Sequence, residues 1–292
     1  MAGRASYGRA MSVAPETPAA PIAPATLEAP APGALGWFLP GVFGVDEIDE
    51  LVAFHQAWGF SILRGAYTED ELVALEAEME QRQAALVAGE LPERCGTVIL
   101  DDPDAVIDGE PFAHYVCHAT QFSPRARAAA TDPVVVDVMH RVLGPDCWLL
   151  EDDRFGVVYQ DARPGPLSGY SRIGWHSDAQ SGPALRVWPS VAFTIHIDAT
   201  SPENGFLRVV PGSHLGGTDD IPLGFEKVVG ELAVYAERGD VLLHHSDLWH
   251  SAARATEDGP TGIRRHVRGG WYGGDPLPPN HGTDDFVKNA RR

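Results

Sequence analysis

The sequence predicts an α+β protein: a double-stranded β-helix (a jelly-roll, cupin-like core) flanked by N-terminal helices. Three observations carry this. Helical patterns are confined to the stretch between Val45 and Leu143, and from Cys147 onward the chain turns to short apolar runs divided by Gly, Pro, Asn and Asp. The 31 glycines and 24 prolines favour many turns between short strands over long helices. Helices followed by strands is the order expected of α+β packing, and a double-sheet jelly roll is the arrangement that best buries such strands.

The elements follow in order. Residues 1–35 are rich in Ala and Pro and poor in large apolar groups, so they cannot offset their ordering entropy and read as a flexible arm. Residues 36–292 read as a single domain, beginning near Trp37. Ile48, Leu51, Val52 and Phe54 recur at helical spacing between Val45 and Trp58, and Phe60–Arg64 follows as a short strand. Thr68-Glu69-Asp70-Glu71 is a capping box that starts a helix carrying Leu72, Leu75 and Met79 on to about Val87. Pro133 to Leu143 is another short helix. Strands are expected at 147–151, 154–160, 190–198, 206–210, 240–245 and 263–272.

Composition excludes several function classes. A formal charge of −19 opposes binding to nucleic acid or to an anionic membrane. No apolar run has the length of a membrane span, and the N-terminus lacks the apolar core of a secretory signal. Cys95, Cys117 and Cys147 are odd in number and show no CxxC pairing, which fits a reducing cytoplasm. The expected partner is a small molecule, and the expected state a monomer or homodimer.

Chemistry concentrates in Gly174-Trp175-His176-Ser177-Asp178 and, some seventy residues later, Asp247-Leu248-Trp249-His250. A histidine, a carboxylate two places on and a distant histidine are the parts of a facial triad, which holds Fe(II) and leaves positions open for oxygen and a co-substrate. On a strand, side chains i and i+2 share a side, so His176 and Asp178 would meet one ion while Ser177 points away. Taken alone, the same residues also fit a strand whose polar groups face water and a histidine packed beside Trp249. The block Glu203-Asn204-Gly205 to Pro211-Gly212-Ser213-His214 reads as turn, strand and turn, with Asn-Gly a hairpin signal, so its role is structural. Arg264 and Arg265 lie 14 and 15 residues past His250; one of them can grip a carboxylate in bidentate fashion, and strand alternation allows only one to face inward.

The succession His-x-Asp, Asn-Gly-x-Leu-x-Val-x-Pro-Gly-Ser-His, Gly-Asp-Val-Leu-Leu-x-His, a later His and then an Arg resembles the phytanoyl-CoA dioxygenase family, from about Val45 to Tyr272. Trp175–Asp178 and Thr200–Gly205 look like its ectoine hydroxylase branch. The resemblance implies Fe(II) on His176, Asp178 and His250, with 2-oxoglutarate and O2 as co-substrates. It gives Arg264 the distal carboxylate of 2-oxoglutarate. The gap from His250 to Arg264 exceeds the family's usual spacing, so Arg265 stays an alternative. Thr194 falls where many members place an aromatic residue lining the co-substrate pocket, and His196 on the same strand face is a candidate for 2-oxoglutarate or substrate. Halogenating relatives replace the carboxylate ligand with a small residue; Asp178 retains it, which favours hydroxylation or another C–H oxidation.

The segment Ala179–Pro189 should overhang the iron, making Arg186 and Trp188 candidates for substrate contact. Glu151, Asp152 and Asp153 could meet a cationic substrate or form a solvated turn. A small metabolite or natural-product intermediate is expected, since no dense Lys/Arg run is present to take the phosphates of a CoA thioester. Two rival readings remain: a zinc-dependent hydrolase built on the same His/Asp/His set, and a jelly-roll binding protein without catalysis.

Overall fold

In the computed structural model of the chain the described residues are 41–92, 95–96, 106–107, 109–151, 156–163, 173–178, 190–216, 220–222, 224, 226–257 and 259–274. The expected N-terminal arm and the whole of the expected overhang, Arg186 and Trp188 included, lie outside them. In chain order the elements are β1 (Val42–Gly44), α1 (Ile48–Trp58), β2 (Phe60–Arg64), α2 (Glu69–Val87), β3 (Val106–Ile107), β4 (Glu110–Pro111) and β5 (Tyr115–Val116). Then come α3 (Ala119–Phe122), α4 (Pro124–Ala130), α5 (Pro133–Leu143), β6 (Trp148–Leu149), β7 (Val158–Ala162), β8 (Ile173–His176) and β9 (Ser190–His196). The chain closes with β10 (Leu207–Val209), β11 (Leu232–Val234), β12 (Val241–His245), β13 (His250–Ala252) and β14 (Arg264–Tyr272).

Local chemistry sets the boundaries. Helix α1 stops at Gly59, whose φ of 81° suits a residue without a Cβ and whose N–H returns to the His55 carbonyl. The capping box at Thr68 forms as expected: its hydroxyl accepts from the Glu71 N–H while the Glu71 carboxylate accepts from the Thr68 N–H. Asp132 caps α5, Pro133 occupies its first turn, and Val135, Val138 and Met139 form its buried side. The short helices α3 and α4 were not legible in the sequence. Pro124 and the Ser123 cap mark the second of them, but four alanines in seven residues give no apolar period.

The large sheet runs β1-β2-β12-β9-β14-β7-β5, with β6 on β14; the small one runs β11-β10-β13-β8. Apart from the parallel pair β1–β2, their ladders are antiparallel. Two packed sheets with helices on the outer side form the expected jelly-roll core. One face of the large sheet (Leu63, Val241, Leu243, Phe193, Ile195, Val267, Tyr159) packs on Leu51 of α1, Leu75 and Met79 of α2, and Val135 and Met139 of α5. The other face turns toward the small sheet. There Phe60, Ile62 and Leu242 meet Val209, Val234 and Leu248 at one end, and elsewhere the space between the sheets is a cavity.

Candidate active site

Strands β8 and β13 pair antiparallel with His176 opposite His250, which sets the two imidazoles side by side, their centroids 4.2 Å apart. In each ring Nδ1 lies 2.8 Å from the carbonyl two residues back, Gly174 for His176 and Leu248 for His250. A carbonyl only accepts, so Nδ1 carries the proton and Nε2 presents its lone pair to the cavity. Burial, helped by His244, lowers the His250 pKa to about 3 and keeps that ring neutral.

Asp178 closes the set. Its Oδ1 is 3.8 Å from Nε2 of His176 and 3.7 Å from Nε2 of His250, and the three donor atoms lie within 4.8 Å of one another. These separations are too long for hydrogen bonds but suit donors around one cation. Expected on the same strand as His176, Asp178 instead lies just past its end. The last ladder pair of β8 is His176–His250, and the strand ends there.

A residue the sequence reading missed completes the cluster. Nε2 of His244, on β12, is 3.0 Å from Oδ2 of Asp178, and its ring centroid is 4.3 Å from that of His250. Burial alone would raise the Asp178 pKa; the surrounding imidazoles, His250 first and the His244 hydrogen bond next, outweigh it and hold the carboxyl well below its usual range. Period-two alternation in Val241-Leu242-Leu243-His244 was the signal that could have found it, since His244 shares the inner face with Leu242.

The cavity encloses about 440 Å³ and receives Thr194 and His196 from β9 and Arg264, His266 and Arg268 from β14. Arg264 is 7% exposed and makes no ion pair among the described residues. Burial lowers its pKa to about 10, and Nε has no hydrogen-bond partner. Such an unmet buried cation implies a missing anion. Its neighbour Arg265 points the other way, forking onto Asp198 (2.9 and 2.8 Å) and pairing with Glu76 and Glu80 (2.7 Å each). Arg265 therefore ties β14 to α2 and does not line the cavity. Glu151 is bound by Arg127 and also lies outside it; Asp152 and Asp153 are not among the described residues.

The Asn204-Gly205 block is structural, though it forms a tight turn closed by a Ser201–Gly205 bridge and not a hairpin between long strands. Asn204 Oδ1 accepts from the Ser201 N–H at 2.8 Å, and its amide nitrogen donates to Ala199 O (2.7 Å) and Ile263 O (3.1 Å), one residue before Arg264. Gly205 has φ 87°, and a Cβ there would collide with the Ala253 carbonyl and come within 3.1 Å of Arg264 Nη1. The turn is thus built against the guanidinium.

The fold and this cluster define a class: a jelly-roll protein with a two-histidine, one-carboxylate site facing a buried arginine. The chain belongs to the phytanoyl-CoA dioxygenase (PhyH) family, whose profile matches residues 55–265; these are Fe(II)- and 2-oxoglutarate-dependent oxygenases. No curated protein matches the chain. Among solved structures it resembles EctD from S. alaskensis with bound Fe, at 17% identity over 77% of this chain and 76% of that one, TM-score 0.59. It also resembles the non-heme alpha ketoglutarate dependent epimerase SnoN from nogalamycin biosynthesis, at 19% identity over 78% and 84%, TM-score 0.56. The corresponding carbocyclase SnoK matches at 20% identity over 77% and 84%, TM-score 0.56. No helix among the described residues is long and apolar enough to cross a membrane.

Proposed function

We propose that this protein is an Fe(II)- and 2-oxoglutarate-dependent dioxygenase that hydroxylates an unactivated C–H bond of a small metabolite or natural-product intermediate, releasing succinate and carbon dioxide. One observation carries the reading: the His176/Asp178/His250 cluster shares its cavity with Arg264, a buried cation without a carboxylate partner among the described residues. The donor set fits Fe(II), with two Nε2 lone pairs and one carboxylate on a common centre.

Iron and 2-oxoglutarate, when bound, supply oxygen activation and the oxidising power for the C–H bond. The chain's own residues bind, orient and exclude. Gly174 and Leu248 fix the imidazole tautomers, and His244 occupies Oδ2 of Asp178 so that Oδ1 faces the cavity. Arg264 offers its fork to the far carboxylate of 2-oxoglutarate, with His196 near it; Thr194 lines the same cavity but stands opposite Arg268 in the β9–β14 ladder. Arg265, already committed to Asp198, Glu76 and Glu80, is not assigned that task.

A zinc hydrolase on the same triad would have no use for the buried arginine. Halogenation is disfavoured because Asp178 fills the position a halide would take. SnoN and SnoK are named for epimerisation and carbocycle formation, so product analysis is the discriminating readout. The test is anaerobic titration of metal-free protein with Fe(II) and then 2-oxoglutarate. A visible charge-transfer band requiring both is expected; its absence in folded protein sinks the reading.

A further inference from the structure

The chain carries 41 acidic and 22 basic residues, so a free carboxylate is easy to find and an unpaired arginine is unusual. Outside the cavity, each described arginine except the exposed Arg254 has a carboxylate partner, as Arg64 has Asp240 and Arg163 has Asp161. Inside it, two do not: Arg264, assigned above, and Arg268. Asp178 is the sole carboxylate among the described residues that line the cavity.

Arg268 is held ready for a ligand. Its Nε donates to Gln160 Oε1 at 3.3 Å, and its guanidinium lies 5.6 Å from the centroid of the Tyr115 ring. With Nε engaged, the edge formed by the two terminal nitrogens is available for a bidentate anion. Alternation along β14 puts Arg264, His266 and Arg268 on the cavity side. Positions four apart on a strand are roughly 13 Å apart, so the two arginines address different groups.

Charge gives the same answer. A divalent metal, Arg264 and Arg268 outweigh Asp178 by three positive charges, and burial keeps His196 and His266 from adding to them. The 2-oxoglutarate dianion cancels two, leaving one positive charge, at Arg268.

We propose that Arg268 is the anchor for the primary substrate, binding a carboxylate on it, so that the substrate class is an anionic small molecule. This rests on the oxygenase reading above. The test uses full-length protein loaded anaerobically with Fe(II) and 2-oxoglutarate, with acetate as the probe and acetamide as the neutral control, read by thermal shift. Millimolar acetate should stabilise wild type, acetamide should not, and Arg268→Gln should abolish the acetate response. The same variant should bind 2-oxoglutarate within threefold of wild type. If acetate does nothing to the loaded wild type, or acts equally on Arg268→Gln, the proposal falls. It falls too if Arg268→Gln weakens 2-oxoglutarate tenfold or more, since Arg268 would then serve the co-substrate. Should Arg268→Gln not fold, Arg268→Lys carries the comparison: it should weaken acetate at least threefold and spare 2-oxoglutarate. Protein that never takes up iron and 2-oxoglutarate fails the oxygenase reading instead, a separate outcome.

Discussion

The two faces of the large sheet are made from the same strands and obey opposite rules. On β9, Val191, Phe193 and Ile195 are fully buried under the helices, while the intervening Ala192, Thr194 and His196 line the cavity. On β14, Val267 joins the helix-side core while Arg264, His266 and Arg268 face inward. The outer face gains its stability from apolar area removed from water. The inner face buries imidazoles and a guanidinium that are incompletely satisfied, a cost accepted where function requires it. Stability and chemistry are thus separated by the alternation of a single strand.

Substitutions on each face should break differently. The largest effect is expected for His250→Ala. Losing a partner outside the ligands costs about 10–100-fold in metal affinity, and losing a ligand should exceed that, as Fe(II) titration will read. Next comes the helix side: Phe193→Ala should cost about 3–5 kcal/mol in denaturant unfolding, with the metal site retained in the folded fraction. Arg264→Gln should weaken 2-oxoglutarate by roughly 10–100-fold, the worth of a charged hydrogen-bond pair, yet leave melting unchanged or raised, because it removes an uncompensated buried cation. A large fall in melting temperature would show that the inner face is structural after all.

His244→Ala should weaken Fe(II) by about 10-fold, reading out its hold on Asp178. Acid tests the buried imidazoles. Burial, reinforced by neighbouring histidines, holds His55 at about 3 and His245 at about 4; burial and Arg264 hold His196 at about 3. The unfolded chain takes up protons on these rings below about pH 6.5, so their contribution is complete above that value. It is lost as pH falls toward 4 and then 3. Melting of metal-free protein at pH 7.5 and pH 5 should show the decline, and a flat profile would contradict it.

Legibility in the sequence followed the same division. The outer face was readable because apolar periodicity is a one-dimensional signal, and β2, α2, α5 and β9 emerged within a residue or two at most ends. Of the site, type and spacing mark His176, Asp178, His250 and the pair Arg264/Arg265, and the family resemblance favours Arg264 over its neighbour. His244 was passed over because its partner, Asp178, is 66 positions away, and no local pattern announces a cross-sheet hydrogen bond. Arg268 belongs to no motif, yet the alternation Arg264, His266, Arg268 puts three polar groups on one face of a buried strand, which is a readable anomaly. The strand at His176 was expected to run on through Asp178; it ends two residues sooner because its extent depends on where β13 stops pairing.

The clamp on Arg265 has an evolutionary corollary. Its backbone N–H and guanidinium are both seized by Asp198, so β14 enters the sheet at a fixed phase however the chain arrives. The loop between Ala253 and Ile263, with its 3-10 turn at Pro260–Gly262, absorbs the length that precedes it. Insertions there can change the count of residues between the histidine and the arginine, but not the parity of the strand. A change in the length of this loop therefore leaves the inward arginine in place, whereas an odd slip within β14 would exchange it for one already held elsewhere.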